Sequence, residues 1–359
     1  MRVEMYIEKL TTTLSGWFQP DNYELKRAIE QTVDEGYFSF PDVKHQIRTL
    51  KLATTFNQLN KWAEISGLKI GSLKHKHILC LHAGNLPLVG FQDALSVIMT
   101  GGNYFGKISR KDPYLLPAFL EYYKQHKGAN DGSVDWCTNL DNITVQQADA
   151  LLFAGSEISA GQVKSLLTKK RIICGSTPSL MRTAHFSVAL ITDNRADTMR
   201  DLTEAVFRYG GEGCRSVAIV VAPFHLNEEK CSFTDYIEQF WLQNPQHSKP
   251  ASSLFHRFAF NKAIGIEQAW LDDFLIEEHL SKPVEKYVLK WVKGDKNTLD
   301  VITKKFRSGI QSIYSTKEYI GQSSGELVIE PLSSAQTPPI WWKPDQIDTI
   351  SWLQENAGI

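Results

Sequence analysis

The sequence has little that would direct it to nucleic acid or into a membrane. Across 359 residues, 39 Lys and Arg stand against 40 Asp and Glu, a formal net charge of −1, so no basic surplus is available to neutralise phosphates. The longest apolar runs, such as 217–223, are far shorter than the roughly 20 residues that cross a bilayer. The charged start MRVEMYIEKL does not resemble a signal peptide. We therefore expect a cytoplasmic protein with no nucleic-acid partner and no membrane span.

Cysteine is scarce and scattered. The chain has five cysteines, an odd number, and none of them forms a Cys-x-x-Cys pair: Cys80, Cys137, Cys174, Cys214 and Cys231. This spacing argues against a disulfide framework and against a zinc site, so no metal is expected. It leaves at least one cysteine available as a working thiol.

Common phosphate-binding motifs are missing as well. No GxxxxGK[ST] run occurs, and the one GxG-like run, 211–213, follows a predicted helix rather than a strand. A dinucleotide fingerprint needs the strand-turn-helix context. A nucleotide site, if the chain has one, must therefore be argued from other residues.

What is present is an ordinary globular composition, 42% hydrophobic and 22% charged, with a length that suggests about two domains. From residue 77 onward, short apolar strands alternate with amphipathic helices, the pattern of βαβ units and a parallel sheet. The pattern predicts an α/β fold of two doubly wound domains. The predicted segments are a helical N-terminal lead-in (1–70), an α/β domain (71–180), a second α/β domain (181–325) and an extended tail held by tryptophans (326–359).

The predicted strands carry the organisation of both domains. In the first domain they cover residues 77–82, 104–108, 150–154 and 171–174, with one helix directly after the turn at 83–87. In the second domain they include 187–191, 217–222, 287–292 and 309–314. The run 217–222 is apolar throughout, which indicates a strand buried on both faces.

Cys214 is the candidate nucleophile. Gly211 and Gly213 allow a backbone that bulkier residues would block, and Arg215 places a fixed positive charge beside the sulfur. Both features favour a reactive thiolate. The alternative reading is a small buried hydrophobe at a helix–strand junction.

Two turns after predicted strands are candidate binding elements. The carboxamide of Asn85 in HAGNLP can donate to a developing oxyanion, or it can serve only as a helix N-cap or in an Asx turn. Gly155 and Ser156 follow a strand and open a helix, where backbone N–H groups can meet a phosphate. Their alternative role is plain N-capping.

Together these segments resemble a known family. HAGNLPLVGFQDALSVIMTGGNYFGKIS, LLFAGSE and YGGEGCRS occur in that order, and their order and spacing are similar to the aldehyde dehydrogenase superfamily. More narrowly, they resemble its acyl-CoA reductase branch, which includes the fatty-acid reductase of bacterial bioluminescence. The resemblance covers nearly everything from residue 78 to the end.

The resemblance implies roles for individual residues. Cys214 is then the nucleophile, and Asn85 with the backbone N–H of Cys214 holds the oxyanion. Lys107 binds the adenosine ribose of the cofactor, with Ser109 and Arg110 beside it. Gly155 and Ser156 lie near the pyrophosphate.

Two departures from hydrolytic and NAD-preferring relatives bear on the reaction. Where those relatives have a Glu-Leu-Gly-Gly segment that supplies a water-activating base, we match residues 174–177, which contain no carboxylate. Where NAD-preferring relatives place Glu three residues after the lysine, this chain has Arg110 followed by Lys111. Their positive charge suits a 2′-phosphate and predicts NADP(H).

The expected activity is NADPH-dependent reduction of an acyl-CoA, long-chain acyl groups included, to an aldehyde through an acyl-cysteine thioester. The alternatives are an aldehyde-oxidising NAD(P) dehydrogenase and a non-redox thiol acyltransferase or acyl carrier. The expected partner molecule is an acyl-CoA or acyl-carrier thioester. The oligomeric state stays open, so a homo-oligomer and an acyl-activating partner protein are both compatible with the sequence.

Overall fold

The computed structural model describes residues 3–245, 253–271, 274–283 and 287–358. These residues form two compact units. Residues 3–184 together with 338–358 make unit 1, and residues 185–337 make unit 2.

Unit 1 is built on a parallel sheet of five strands in the order β3-β2-β1-β4-β5. All five carboxyl ends therefore lie at the same edge of the sheet, where ligands bind in open α/β folds. The strands are β1 (His77–Leu81), β2 (Asn103–Lys107), β3 (Val134–Cys137), β4 (Ala150–Ala154) and β5 (Ser179–Arg182).

Seven helices of unit 1 precede and connect these strands. They are α1 (Val3–Trp17), α2 (Tyr23–Asp34), α3 (Phe40–Ala53), α4 (Phe56–Ile65), α5 (Phe91–Thr100), α6 (Leu115–His126) and α7 (Glu157–Lys169). Trp17 of α1 and Trp62 of α4 are fully buried, in the same hydrophobic core as Phe91 of α5 and Phe119 of α6. The helices before residue 70 therefore share the core of the α/β layer and are not a separate segment as expected.

Two predicted elements of unit 1 are wrong. Residues 171–174 form no strand, because Arg171 adopts a left-handed backbone, with φ 60°, just after Lys170, the C-cap of α7. The sequence predicted neither β3 nor β5, the two edge strands of this sheet. The helix after the turn at 83–87 begins only at Phe91, with Gly90 as its N-cap.

Unit 2 contains an eight-stranded sheet in the order β12-β13-β11-β6-β7-β10-β9-β8, parallel except for the antiparallel pairs at its two edges. Its helices are α8 (Ala196–Phe207), α9 (Leu226–Gln243), α10 (Ser253–Ala263) and α11 (Lys296–Lys305). Its strands are β6 (Phe186–Leu190), β7 (Val217–Ala222), β8 (Gln268–Leu271), β9 (Phe274–Glu277), β10 (Val288–Lys293), β11 (Ile310–Ser315), β12 (Ser323–Ser324) and β13 (Leu327–Pro331).

The central strand β7 explains how unit 2 is layered. Val220 and Ala222 pack in a cluster with α8 and α9 residues, whereas Ile219 and Val221 pack in a second cluster with α11 residues. The two faces of one strand therefore serve two hydrophobic layers, as the all-apolar run 217–222 predicted. Helices cover both faces of this sheet, and the predicted α/β class with two doubly wound units is confirmed.

The chain returns to unit 1 after residue 337 and ends in a helix, α12 (Thr349–Asn356). Gln92 Nε2 donates to the carbonyl oxygens of Ile340 and Trp342, both at 2.7 Å. Trp341 and Trp352 pack against the core of unit 1. The predicted anchoring by tryptophans thus holds for these two, but the tail is helical at 349–356 rather than extended.

Among the residues that the structure describes, no helix combines the length and the apolar character needed to cross a membrane.

Candidate functional site

The strand order of unit 1 brings three of the predicted binding segments together. The Asn85 turn follows β1, Lys107 ends β2, and Gly155 and Ser156 follow β4. Because β2, β1 and β4 are neighbours in the sheet, these segments lie side by side at its carboxyl edge. The sequence alone could not supply that adjacency.

The Asn85 turn packs tightly against its surroundings. A Cβ at Gly84 would lie 2.2 Å from Ser109 Oγ, and a Cβ at Gly90 would lie 2.3 Å from His82 Nδ1. Only glycine permits these approaches. Asn85 itself is half-buried. Because Gly90 is the N-cap of α5, the alternative of Asn85 as that helix's N-cap is wrong.

A buried polar cluster lies beneath this turn. The His82 Nε2 and Tyr104 Oη atoms are 2.7 Å apart, and the Arg182 guanidinium donates to Asp93 at 2.6 Å and to Thr349 at 2.8 Å. Burial lowers the pKa of His82 to about 4, with Asp93 acting in the opposite sense. The imidazole is therefore neutral at pH 7 and packs as a core residue.

His82 predicts how stability depends on pH. Its folded-state pKa of about 4 lies below its ordinary value of 6.5, so its contribution is fully present above pH 6.5 and is lost as pH falls toward 4. Between pH 7 and pH 4 the unfolding free energy of the wild type should fall by about 3 kcal/mol more than that of His82→Gln. Urea denaturation at both pH values measures this difference. Equal losses in the two proteins would contradict a buried neutral His82.

Lys107 and Arg110 place two positive charges close together beside the turn. Lys107 is half-buried, and burial followed by the charge of Arg110 lowers its pKa. The two cations therefore act on each other electrostatically, and an anion bound there would relieve their repulsion. Ser109 lies between them in sequence, with its hydroxyl accepting from the backbone N–H of Lys111 at 3.2 Å.

The Gly155-Ser156 turn differs in detail from the prediction. The Gly155 N–H already donates to the Arg182 carbonyl at 3.1 Å, so it is not open to a phosphate. Ser156 is the N-cap of α7, and its hydroxyl accepts from Ser159 N at 3.2 Å. The capping role is thus confirmed for Ser156. The N–H groups of Glu157 and Ile158, in the first turn of α7, have no acceptor within the helix and point toward its N-terminal end.

The Cys214 loop of unit 2 has an unusual backbone. Tyr209, Gly210 and Gly211 have φ of 58°, 64° and 71°, three left-handed residues in succession between α8 and β7. A left-handed tyrosine is costly, and such outliers persist only where their surroundings enforce them. Tyr209 is indeed buried.

Cys214 follows that loop at the amino end of β7. Its backbone carbonyl accepts from the Ser187 hydroxyl of the neighbouring strand β6 at 3.0 Å. The residue is half-buried and belongs to none of the hydrophobic clusters of the described residues, whereas Cys80 is fully buried in one of them. Cys214 is therefore not a core hydrophobe.

Tyr314 in β11 is a neighbour of Cys214 that the sequence did not reveal. Burial raises the pKa of the Tyr314 phenol, the positive charge of Arg215 lowers it, and Cys214 raises it. The phenol is therefore within electrostatic reach of both residues. No local sequence pattern indicates this, because β11 and the Cys214 loop are separated by about a hundred residues of chain.

The segment 174–177, which we matched to the base-bearing segment of hydrolytic relatives, contains no carboxylate. It precedes β5, so it lies at the amino edge of the sheet, opposite the Asn85 turn. The residues at the carboxyl end of β5 are Thr183, Ala184 and His185. They contain no carboxylate either.

Cys174 in that segment is a second accessible thiol. It is exposed, and hydrogen bonds with the Ser176 and Thr177 side chains lower its pKa to about 7. Experiments that label Cys214 must take this competing thiolate into account.

No protein-family model matches the sequence, and no curated protein matches it either. Solved structures do match. Aldehyde dehydrogenase 21 from Physcomitrella patens, in complex with the product succinate, is 12% identical with a TM-score of 0.66, covering 99% of this chain and 84% of that one. The chain has the aldehyde dehydrogenase fold.

Two further structures support the same conclusion. Succinic semialdehyde dehydrogenase from Streptococcus pyogenes, in complex with NADP⁺, is 12% identical with a TM-score of 0.61, covering 88% of this chain and 77% of that one. Indole-3-acetaldehyde dehydrogenase from P. syringae, a variant in complex with NAD⁺ and IAA, is 11% identical with a TM-score of 0.61, covering 92% and 77%. The fold expected from the sequence resemblance is confirmed.

Proposed function

We propose that this protein is an NADP(H)-dependent oxidoreductase that reduces an acyl-CoA to an aldehyde through a thioester on Cys214. The observation that carries the proposal is the Cys214 loop, in which a half-buried cysteine follows three left-handed residues in a chain with the aldehyde dehydrogenase fold. Two similar structures, at 11–12% identity, were solved with nicotinamide cofactors. That likeness supports the same class of cofactor here.

The residues of unit 1 fit such a cofactor. Lys107 and Arg110 interact electrostatically, and together they supply positive charge for a 2′-phosphate. The first-turn N–H groups of α7 supply donors for the pyrophosphate in place of Gly155 N–H. Bound NADPH would supply the hydride that reduces the thioester carbonyl.

The remaining steps belong to the protein's own groups. The Cys214 thiolate attacks the thioester carbonyl, a new S–C bond forms, and the CoA thiolate leaves and takes a proton from solvent. Asn85 and the backbone N–H of Cys214 donate to the oxyanion as charge develops on oxygen. When the aldehyde departs, its S–C bond breaks and Cys214 is regenerated as a thiolate.

The absence of a carboxylate at the end of β5 favours acyl transfer over hydrolysis. An activated water would consume the acyl-enzyme before reduction. In a thioester reductase, CoA is the leaving group, and no water is required.

One observation favours a second candidate, the oxidation of an aldehyde to an acid. His185 is the titratable residue that follows β5, and a neutral imidazole can activate water. In that enzyme, the aldehyde and NADP⁺ would yield a carboxylate without CoA.

The deciding experiment offers acyl-CoAs of graded length with NADPH and follows cofactor oxidation and aldehyde release. The proposal expects one aldehyde and one free CoA per acyl-CoA consumed. Carboxylate formed from aldehyde and NADP⁺ in the absence of CoA would establish the second candidate instead. Acylation of Cys214 without any oxidation of NADPH would identify a non-redox acyltransferase or acyl carrier.

Arg110 should set the preference between cofactors. Arg110→Glu replaces the cation with an anion that repels a 2′-phosphate and accepts from a ribose hydroxyl, so the KM for NADPH should rise by about 10- to 100-fold relative to that for NADH. Arg48→Glu, the same charge change on an exposed position of α3, is the matched control and should leave the ratio unchanged. An unaltered ratio in Arg110→Glu would reject this role.

A further inference from the structure

Asp112 is a buried carboxylate that the proposed chemistry does not use. It is only 3% exposed. Burial raises its pKa to about 6, opposed by hydrogen bonds from the backbone N–H groups of Leu88, Leu115 and Leu116. At neutral pH it is therefore a carboxylate whose negative charge is balanced by backbone donors rather than by water.

The two carboxylate oxygens of Asp112 face different parts of the chain. Oδ1 accepts from Leu115 N at 3.3 Å, at the start of α6. Oδ2 accepts from Leu88 N at 2.8 Å, in the loop that carries Asn85. One oxygen thus serves a helix start, a role common for aspartate, while the other reaches across to a separate segment.

The Leu88 end of this contact is conformationally demanding. Leu88 has φ of 55°, a left-handed backbone that leucine rarely adopts, and it is 1% exposed. Its N–H would be a buried donor without a partner if the carboxylate were removed. The Asp112 oxygen therefore helps to hold the backbone in a conformation that leucine does not favour on its own.

The same two segments also touch beside Asn85. Gly84 lies against Ser109, so closely that a Cβ would be 2.2 Å from the hydroxyl oxygen and 3.0 Å from Lys111 Cβ. The loop 83–90 is thereby fixed to the segment 107–112 on both sides of Asn85, through van der Waals contact on one side and a charge-assisted hydrogen bond on the other.

We propose that Asp112 is a positioning residue, which holds the Asn85 loop against the Lys107–Asp112 segment and so sets the direction of the Asn85 carboxamide. The catalytic part of this proposal rests on the proposed function, in which Asn85 binds the oxyanion. The structural part does not. Asp112 touches neither substrate nor cofactor in this role, and it acts through Leu88.

Two substitutions separate the two contacts of Asp112. Asp112→Ser keeps a short side-chain acceptor for Leu115 N, as serine does at helix starts, but it is too short to span to Leu88. Asp112→Asn keeps an oxygen that can face Leu88 N. Asp348→Ser is the matched control, because Asp348 also accepts from a helix-start N–H, Ser351 N at 2.8 Å, and from a distant donor, Trp62 Nε1 at 3.0 Å.

The first readout is amide hydrogen exchange, which needs no catalysis. In Asp112→Ser, peptides covering 83–90 should exchange at least about tenfold faster than in wild type, and peptides covering β7 should be unchanged. Asp112→Asn should restore most of the protection, and Asp348→Ser should leave 83–90 protected. If peptides covering 83–90 exchange in Asp112→Ser at the same rate as in wild type, the proposal is overturned.

The second readout is the division of the kinetic effect between kcat and KM. In Asp112→Ser, kcat for acyl-CoA reduction should fall by about 10- to 100-fold. The KM for NADPH should stay within about twofold of the wild-type value, because misplacing one donor mainly affects the transition state. Asp112→Asn should recover most of kcat. If faster exchange in Asp112→Ser is accompanied by an unchanged kcat, the catalytic role is refuted. If the wild type itself shows no reduction, the proposed function fails while the exchange result still decides the structural role.

Discussion

Replacing Cys214 with serine is expected to lower acyl-CoA reduction by at least about 10⁴-fold, because a serine hydroxyl is a far weaker nucleophile than a thiolate and the acyl-enzyme no longer forms. The half-buried position of Cys214 outside the hydrophobic clusters makes this change small in packing terms. The unfolding free energy of the variant should therefore stay close to that of the wild type. A loss of activity with retained stability is the signature of a nucleophile.

The measurement combines turnover with the mass of the acylated peptide that contains residue 214. It should be made in a Cys174→Ser background, because Cys174 is exposed and its pKa of about 7 leaves much of it as thiolate at neutral pH. In that background, acyl-CoA without NADPH should add one acyl group, on Cys214. Two results would exclude Cys214 as the nucleophile. One is turnover of Cys214→Ser within tenfold of the parent, and the other is an acyl group found only on peptides that lack residue 214.

Asn85→Ala is the second large effect that we expect. Loss of one oxyanion donor costs about 3 to 4 kcal/mol of transition-state stabilisation, which corresponds to a decrease in kcat of about 10²- to 10³-fold. The substrate and cofactor KM values should change little, since the donor acts mainly where charge develops. Acylation of Cys214 should slow by the same factor.

A purely conformational role for Asn85 predicts a different result. Asn22 offers the comparison, because its side chain accepts from Leu25 N at 2.8 Å as the N-cap of α2. Asn22→Ala should lower the unfolding free energy by about 1 kcal/mol without slowing turnover per folded molecule. If Asn85→Ala behaves in the same way, Asn85 is a turn residue and not an oxyanion donor.

The strongest local patterns were sufficient to predict much of the secondary structure. Strands β1, β2, β4, β6, β7, β10 and β11 were predicted within one residue of their observed ends. The clearest of them, such as β4 and β7, are apolar runs between turn residues. Strands β3, β5, β8, β9 and β12 were missed, and β13 lies in the residues read as an extended tail. The edge strands β3, β5 and β8 are partly exposed, with burial patterns that show no continuous apolar run, so they leave little trace in sequence. Strand β9 is fully buried and was missed all the same.

The ends of unit 1 show the same limit at a larger scale. The helices before residue 70 read as a separate lead-in and the residues after 326 as an extended tail. Instead, Trp17 and Trp62 enter the core that Phe91 shares, and the chain after residue 337 returns to unit 1 and forms α12. Amphipathic patterns indicate that a face is buried, but they do not say against which partner.

The sequence by itself determined the kinds of groups available for chemistry and their local setting: a cysteine between glycines, an asparagine in a turn after a strand, and a lysine followed by an arginine. Tertiary structure alone decided which of these groups meet. The order β3-β2-β1-β4-β5 places the Asn85 turn between the Lys107 and Ser156 segments, and folding leaves Cys214 partly accessible while it buries Cys80. It also brings Asp112 to Leu88 N. The reason is physical, because burial, desolvation and strand adjacency arise from contacts between residues far apart in the chain, which no local pattern records.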